Sequence, residues 1–146
     1  MNQKEKILVS ACLLGVPCRY DGKSKPSGKV IALSEKYDLI AVCPECDGGL
    51  PTPRIPSERV GDRVLMRDGN DVTENYKQGA SIAYNACQEN SISIAILKAR
   101  SPSCGKGKIY DGTFSGKLID GNGVTAEWLL NNGIKVLTEE ELDELE

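Results

Sequence analysis

The chain has 146 residues, 40% of them hydrophobic and 27% charged, with a net charge of −3, six cysteines and no histidine. That length can bury a core without disulfide staples, and the acidic balance disfavours a protein that lives on nucleic-acid phosphates. The missing histidine rules out Ser-His-Asp and Cys-His nucleophile systems and imidazole-bound zinc, so acid–base work falls to carboxylates, lysine, tyrosine or cysteine.

In chain order, the first apolar run is Ile7, Leu8 and Val9, directly after Lys6. A secretory signal needs about 7–15 apolar residues, so residues 6–10 are predicted as a buried strand and Val9-Ser10-Ala11-Cys12 is not read as a lipoprotein cleavage box. No run approaches the ~18 apolar residues of a membrane span. The expected location is the cytoplasm, where cysteines serve as metal ligands, catalytic groups or core residues rather than disulfides. Residues 28–37 carry a short helical pattern, and 39–42 read as a second buried strand. The Pro/Gly-rich stretch 44–56 reads as a shaped loop, and 60–67 as a hairpin or irregular excursion.

The clearest helix is predicted over 72–89, where Val72, Tyr76, Ala80, Ala83 and Cys87 share one face, with Asp71 or Thr73 capping its start. Buried strands over 93–98 and 135–137 bracket a helix over 124–131 that stops at Asn132-Gly133. The acidic end, 139–146, reads as a solvated terminal helix. No repeat or linker divides the chain, so residues 1–146 are expected to form one domain. Strands alternating with helices predict a three-layer, Rossmann-like α/β fold with a mainly parallel sheet.

These strands place Cys12 and Cys43 just beyond the first two strand ends and Cys104 in the loop after the third. Sites in open parallel α/β sheets form at the carboxyl ends of strands, where strand order reverses, so the three thiols are expected to converge. Cys43-Pro44-Glu45-Cys46 could be a redox pair, but such pairs rely on a helix N-terminus, and Gly48, Gly49, Pro51 and Pro53 are expected to forbid a helix there. Arg54, among prolines, is a rigidly presented cation suited to an anion or a planar carbonyl. Segment 97–105 offers Ser101, Ser103 and Cys104 without a nucleotide P-loop pattern. Cys87 reads as a core hydrophobe. Spacing leaves zinc and iron–sulfur both open: a structural zinc site could use Cys12, Cys18, Cys43 and Cys46, whereas three thiolates could hold an iron–sulfur cluster with one iron open.

Three segments, SACLLGVPCRYDG (10–22), CPECDGGLPTPR (43–54) and LKARSPSCG (97–105), resemble the signature segments of the small iron–sulfur thiouracil desulfidase family in its stand-alone form. The resemblance implies a [4Fe–4S] cluster bound by three cysteines, Cys12, Cys43 and Cys104, at the carboxyl ends of the strands. It also implies that Glu45 and Ser101 take part in chemistry; Cys46 and Cys87 fall outside the family pattern, and Cys18 is not counted as a ligand. The implied reaction converts the thiocarbonyl of thiouracil or a related thiolated pyrimidine to carbonyl with sulfide release, the open cluster iron binding the substrate sulfur. Glu45 would activate water or carry a proton. Ser103 would help Ser101 position the base ring or the water, and Lys98 and Arg54, with Arg19, would face the substrate. A small-molecule partner is expected, with neither membrane nor nucleic acid, in a monomer or weak dimer. The competing readings are a non-catalytic cluster- or sulfide-binding module and the structural zinc protein.

Overall fold

The computed structural model describes residues 4–145; residues 1–3 and 146, including the last residue of the acidic end, lie outside the described set. In chain order the elements begin with β1 (Glu5–Ser10), a 3-10 turn (Ala11–Leu14) and α1 (Gly28–Ala32), which tightens into a 3-10 turn (Leu33–Glu35). Then come β2 (Tyr37–Val42), α2 (Pro44–Asp47), β3 (Ser57–Val60), β4 (Arg63–Met66) and α3 (Thr73–Glu89). The chain continues through β5 (Ile94–Leu97), β6 (Lys108–Tyr110), β7 (Leu118–Asp120), α4 (Val124–Asn131), β8 (Lys135–Thr138) and a 3-10 turn (Leu142–Leu145).

The four predicted apolar runs form one parallel sheet in the order β2-β1-β5-β8, with Leu8 beside Ile40 and Ala95, and Ile96 beside Leu137. Ile7, Leu8 and Val9 are all fully buried, because helices cover both faces and a central parallel strand has no wet side. Alternation divides them. Leu8, Ala95 and Leu97 pack with Ala83 and Cys87 of α3 and Ala126 and Leu129 of α4, while Ile7, Val9 and Ile96 pack with Leu13 and Val30 on the other face. The three-layer α/β arrangement expected from the sequence is therefore present. None of the described helices is long and apolar enough to cross a membrane.

Four local expectations change. Residues 28–37 hold a helix only to Ala32, tighten into the 3-10 turn, and reach β2 at Tyr37. Segment 60–67 resolves as the β3–β4 hairpin, begun at Ser57. A one-turn helix does form over Pro44–Asp47, against the expectation that the glycines and prolines forbid one: Pro44 sits at its first position, where no N–H is needed, and Gly48 ends it. The described part of the acidic end is not a solvated helix. Leu142 and Leu145 pack onto the second core face, and Glu139, Glu140 and Glu141 pair with Lys98, Arg100 and Lys106 at 3.1, 3.1 and 3.2 Å. The small β6–β7 ribbon has no counterpart in the sequence reading; its strands are three residues each, too short for alternation to register.

One close approach fixes α2. A Cβ at Gly79 of α3 would overlap the carbonyl oxygen of Pro44, and one at Gly48 would overlap that of Asn75, so small residues let the two helices pack backbone to backbone. The Asn75 side chain also donates to the Gly48 carbonyl at 2.8 Å. Cys43, the residue capping α2, is held in place by this contact.

Candidate active site

β1 runs directly into the turn that carries Cys12, β2 ends one residue before Cys43, and the loop after β5 brings in Cys104. Strand order reverses at β1, whose two neighbours are β2 and β5, which is where an open parallel sheet leaves a crevice. A cavity of about 510 Å³ occupies it, and Cys12, Cys18, Cys43 and Cys104 line it together with Glu45 and Ser103. Ser101, Lys98, Arg54 and Arg19 border the same cavity. Cys87 is buried against α4 and the sheet, the core placement expected of it. All six thiols are free.

Hydrogen bonds organise the floor. The Cys104 sulfur accepts from the Ser10 hydroxyl at 3.3 Å and lies 3.6 Å from the Ser103 hydroxyl oxygen. Ser101 Oγ accepts the backbone N–H groups of Ser103 and Cys104, each at 3.1 Å, and lies 3.0 Å from Ser103 Oγ. Ser103 donates to Glu45 Oε2 at 3.0 Å. The second carboxylate oxygen, Oε1, accepts from Arg54 Nε at 3.1 Å and pairs with its terminal nitrogen at 3.0 Å. Ser101, Ser103, Glu45 and Arg54 thus form one chain across the cavity.

Arg54 borders the cavity, but its guanidinium is committed to the protein. Besides Glu45 it donates to the Pro51 carbonyl, the Thr52 hydroxyl and the Cys18 carbonyl at 3.1, 3.0 and 3.0 Å, and its side chain is only 3% exposed. The Cys18 carbonyl also faces the Cys43 and Cys46 sulfurs at 3.8 and 3.7 Å. Lys98 is likewise tethered by Glu139, whose other oxygen accepts the Ala99 N–H at 2.7 Å.

Burial pushes the Cys104 thiol up to about 12, against the pull of the Ser10 and Ser103 hydroxyls. A hydrogen bond with Cys12, and then burial, leaves Cys18 at about 11. Cys43 is raised, first by Cys18 and then by burial, and Cys46 is raised by burial. A nucleophilic redox pair needs a lowered thiol, so the one-turn helix does not make Cys43 and Cys46 one. Thiols of this kind stay protonated near neutrality until a metal displaces the proton. Among the described residues, no three Cys, Asp or Glu side chains gather tightly enough to hold a single metal ion.

Sequence reasoning missed several participants. Ser10 was visible beside Cys12, yet its role depends on a strand 88 residues away, where it accepts the Lys98 N–H. A further part of the lining, with Glu58, Arg67, Tyr110 and Phe114, comes from two short ribbons with no strong pattern.

A parallel sheet with a thiol-walled crevice at its reversal point defines an α/β protein equipped for soft-metal chemistry. A model of the 2-thiouracil desulfurase family matches residues 7–141, and the chain belongs to that family. It is 43% identical over 149 residues to the uncharacterized protein YbbK of Bacillus subtilis (strain 168), covering 95% of this chain and 99% of that one. It also superposes on a solved structure, the [4Fe-4S]-dependent thiouracil desulfidase TudS, with a TM-score of 0.92 and 49% identity over 97% of this chain and 95% of that one.

Proposed function

We propose that residues 1–146 act as one desulfidase domain that converts the thiocarbonyl of a thiolated pyrimidine such as 2-thiouracil to a carbonyl, using a [4Fe–4S] cluster. The observation that carries this reading is the meeting of Cys12, Cys43 and Cys104 with the Glu45–Ser103 pair on one cavity at the strand-order reversal. The donor set fits: three soft thiols from three separate loops line one cavity, in a chain without imidazole. Held by those three thiolates, a cluster supplies an iron without a protein ligand, a Lewis acid suited to a soft thiocarbonyl sulfur.

The chain's own groups supply the rest. Arg54 clamps Glu45 Oε1 and leaves Oε2 toward Ser103. Glu45 takes a proton from water as its oxygen attacks the ring carbon. Ser103 and Ser101 hold that water and the base edge, and Lys98 keeps a cation at the rim, fixed by Glu139. The carbon gains oxygen from water and loses sulfur as hydrogen sulfide, so no electrons are needed from outside. A small-molecule substrate, a cytoplasmic location and a monomer or weak dimer complete the proposal; a reducing compartment suits six free thiols.

The test is anaerobic reconstitution followed by iron, sulfide and turnover measurements with 2-thiouracil. The wild type should bind iron and sulfide in equal amounts and release uracil. Cys12→Ser, Cys43→Ser and Cys104→Ser should each lose the brown absorbance. Glu45→Gln should keep it and lose about 10²–10⁴ in rate. Full cluster content in the three cysteine variants would overturn the ligand assignment, and zinc without iron would overturn the reading as a whole.

A further inference from the structure

The part of the cavity lining that comes from the two ribbons, with Glu58, Arg67, Tyr110 and Phe114, has no part in the chemistry above. Glu58 on β3 is a buried carboxylate, and its Oε1 accepts the backbone N–H groups of Gly112 and Phe114 at 2.9 and 3.1 Å. Charge-assisted bonds of this kind are the strong ones. They tie down the turn between β6 and β7 from outside, while Asp111 holds its start by accepting the Thr113 N–H at 2.9 Å. Inside this double anchor Phe114 has a φ of 57°, the left-handed region that a bulky side chain adopts only under constraint. Strain that the surroundings enforce in this way clusters at ligand clamps.

Phe114 is the one phenylalanine of the chain, and it lines the cavity beside Tyr110. The Arg67 guanidinium lies over its ring, 5.5 Å from the centroid, and both side chains line the cavity. An aromatic face held rigidly at the rim of a cavity of about 510 Å³ is a stacking platform for a flat ring.

We propose that Phe114 determines specificity: the planar ring of the substrate stacks on it, its thiocarbonyl directed at the thiol side, and heteroaromatic thiocarbonyls are thereby selected over acyclic thioamides. Glu58 acts through Phe114 as a positioning residue. The reaction rests on the desulfidase reading; the stacking of a pyrimidine ring does not, and the two can be tested apart.

The experiment compares wild type, Phe114→Leu, Phe114→Trp and Glu58→Gln as cluster-loaded proteins. It measures turnover of 2-thiouracil and thioacetamide, and uracil binding by isothermal titration, which needs no turnover. Phe114→Leu keeps an apolar side chain but removes the flat face. It should raise KM for 2-thiouracil and weaken uracil binding about tenfold, which is about 1.4 kcal/mol, with kcat and thioacetamide turnover within about twofold. Phe114→Trp should restore binding. Glu58→Gln keeps the ring but loosens its anchor, and should shift KM the same way by a smaller factor; it carries the test if Phe114→Leu does not fold. Equal losses on both substrates, or uracil binding unchanged in Phe114→Leu, would overturn the platform. Uracil binding that depends on Phe114, in a protein that desulfurises nothing, would sink the reaction and leave the platform standing.

Discussion

Arg54 is the perturbation with the most to reveal, because its side chain is 3% exposed while that of its partner Glu45 is 16% exposed. Replacing it by methionine removes the cation from Glu45 and takes the donor from the Cys18 and Pro51 carbonyls. Removing one partner of a buried pair costs about 3–5 kcal/mol, and a chain of this size loses about 2–4 °C of melting temperature per kcal/mol. A drop on the order of 10 °C is expected. Most of that loss comes from a carboxylate left buried without its counter-charge, so neutralising the carboxylate should recover part of it. The assay is a double-mutant cycle of Arg54→Met, Glu45→Gln and the double variant, read by urea unfolding of the cluster-free proteins. The double variant should be less destabilised than the sum of the single ones by about 1–3 kcal/mol. Additivity within about 0.5 kcal/mol would refute the pairing and return Arg54 to the role of a free cation for substrate.

Two further outcomes follow from packing and burial. Gly79→Ala would drive a methyl group into the Pro44 carbonyl, so it should lower stability by at least about 1–3 kcal/mol and, by shifting Cys43, reduce iron content after reconstitution; an unchanged melting temperature with full iron would contradict the backbone contact. Burial raises the Cys87 thiol from 9.0 to about 11, so the folded state keeps its proton where the unfolded chain gives it up, and the resulting stability is complete below pH 9 and is lost as pH rises toward 11. Cys18 and Cys104 are raised as well and slope the same way. Cys87→Ala should make the alkaline decline of the cluster-free protein shallower, as urea midpoints from pH 8 to pH 11 would show, and an identical decline would refute the assignment.

The sheet was legible because its central strand is a short, uninterrupted run, Ile7-Leu8-Val9, that only burial on two sides explains. The convergence of Cys12, Cys43 and Cys104 on one cavity followed from strand ends alone, since topology does the gathering. The Glu45–Arg54 pair was invisible for a different reason. The two residues are nine apart across an irregular loop, and no periodicity brings such positions together. The one-turn helix at Pro44 was hidden because Gly48, Gly49, Pro51 and Pro53 forbid only its continuation: Pro44 starts a single turn, and Gly48 ends it before they act. Glu139, Glu140 and Glu141 read as solvated charge because their partners, Lys98, Arg100 and Lys106, lie far back in the chain. Phe114 offered no signal beyond being the single phenylalanine, and its backbone is anchored by Glu58, a carboxylate from another ribbon.

The three consecutive glutamates also impose an order in time. They grip the Cys104 loop on both sides of the cysteine, through Lys98 and Arg100 before it and Lys106 after it. On the ribosome, Cys12, Cys18, Cys43, Cys46 and Cys104 all emerge before these glutamates and before β8, which closes the sheet beside β5. At about 5–20 residues per second, the interval between Cys104 and its clasp lasts on the order of seconds. During it the third thiol rides on a loop with neither its salt bridges nor its neighbouring strand. The last contacts around Cys104 thus come from a stretch translated after every cysteine of the chain.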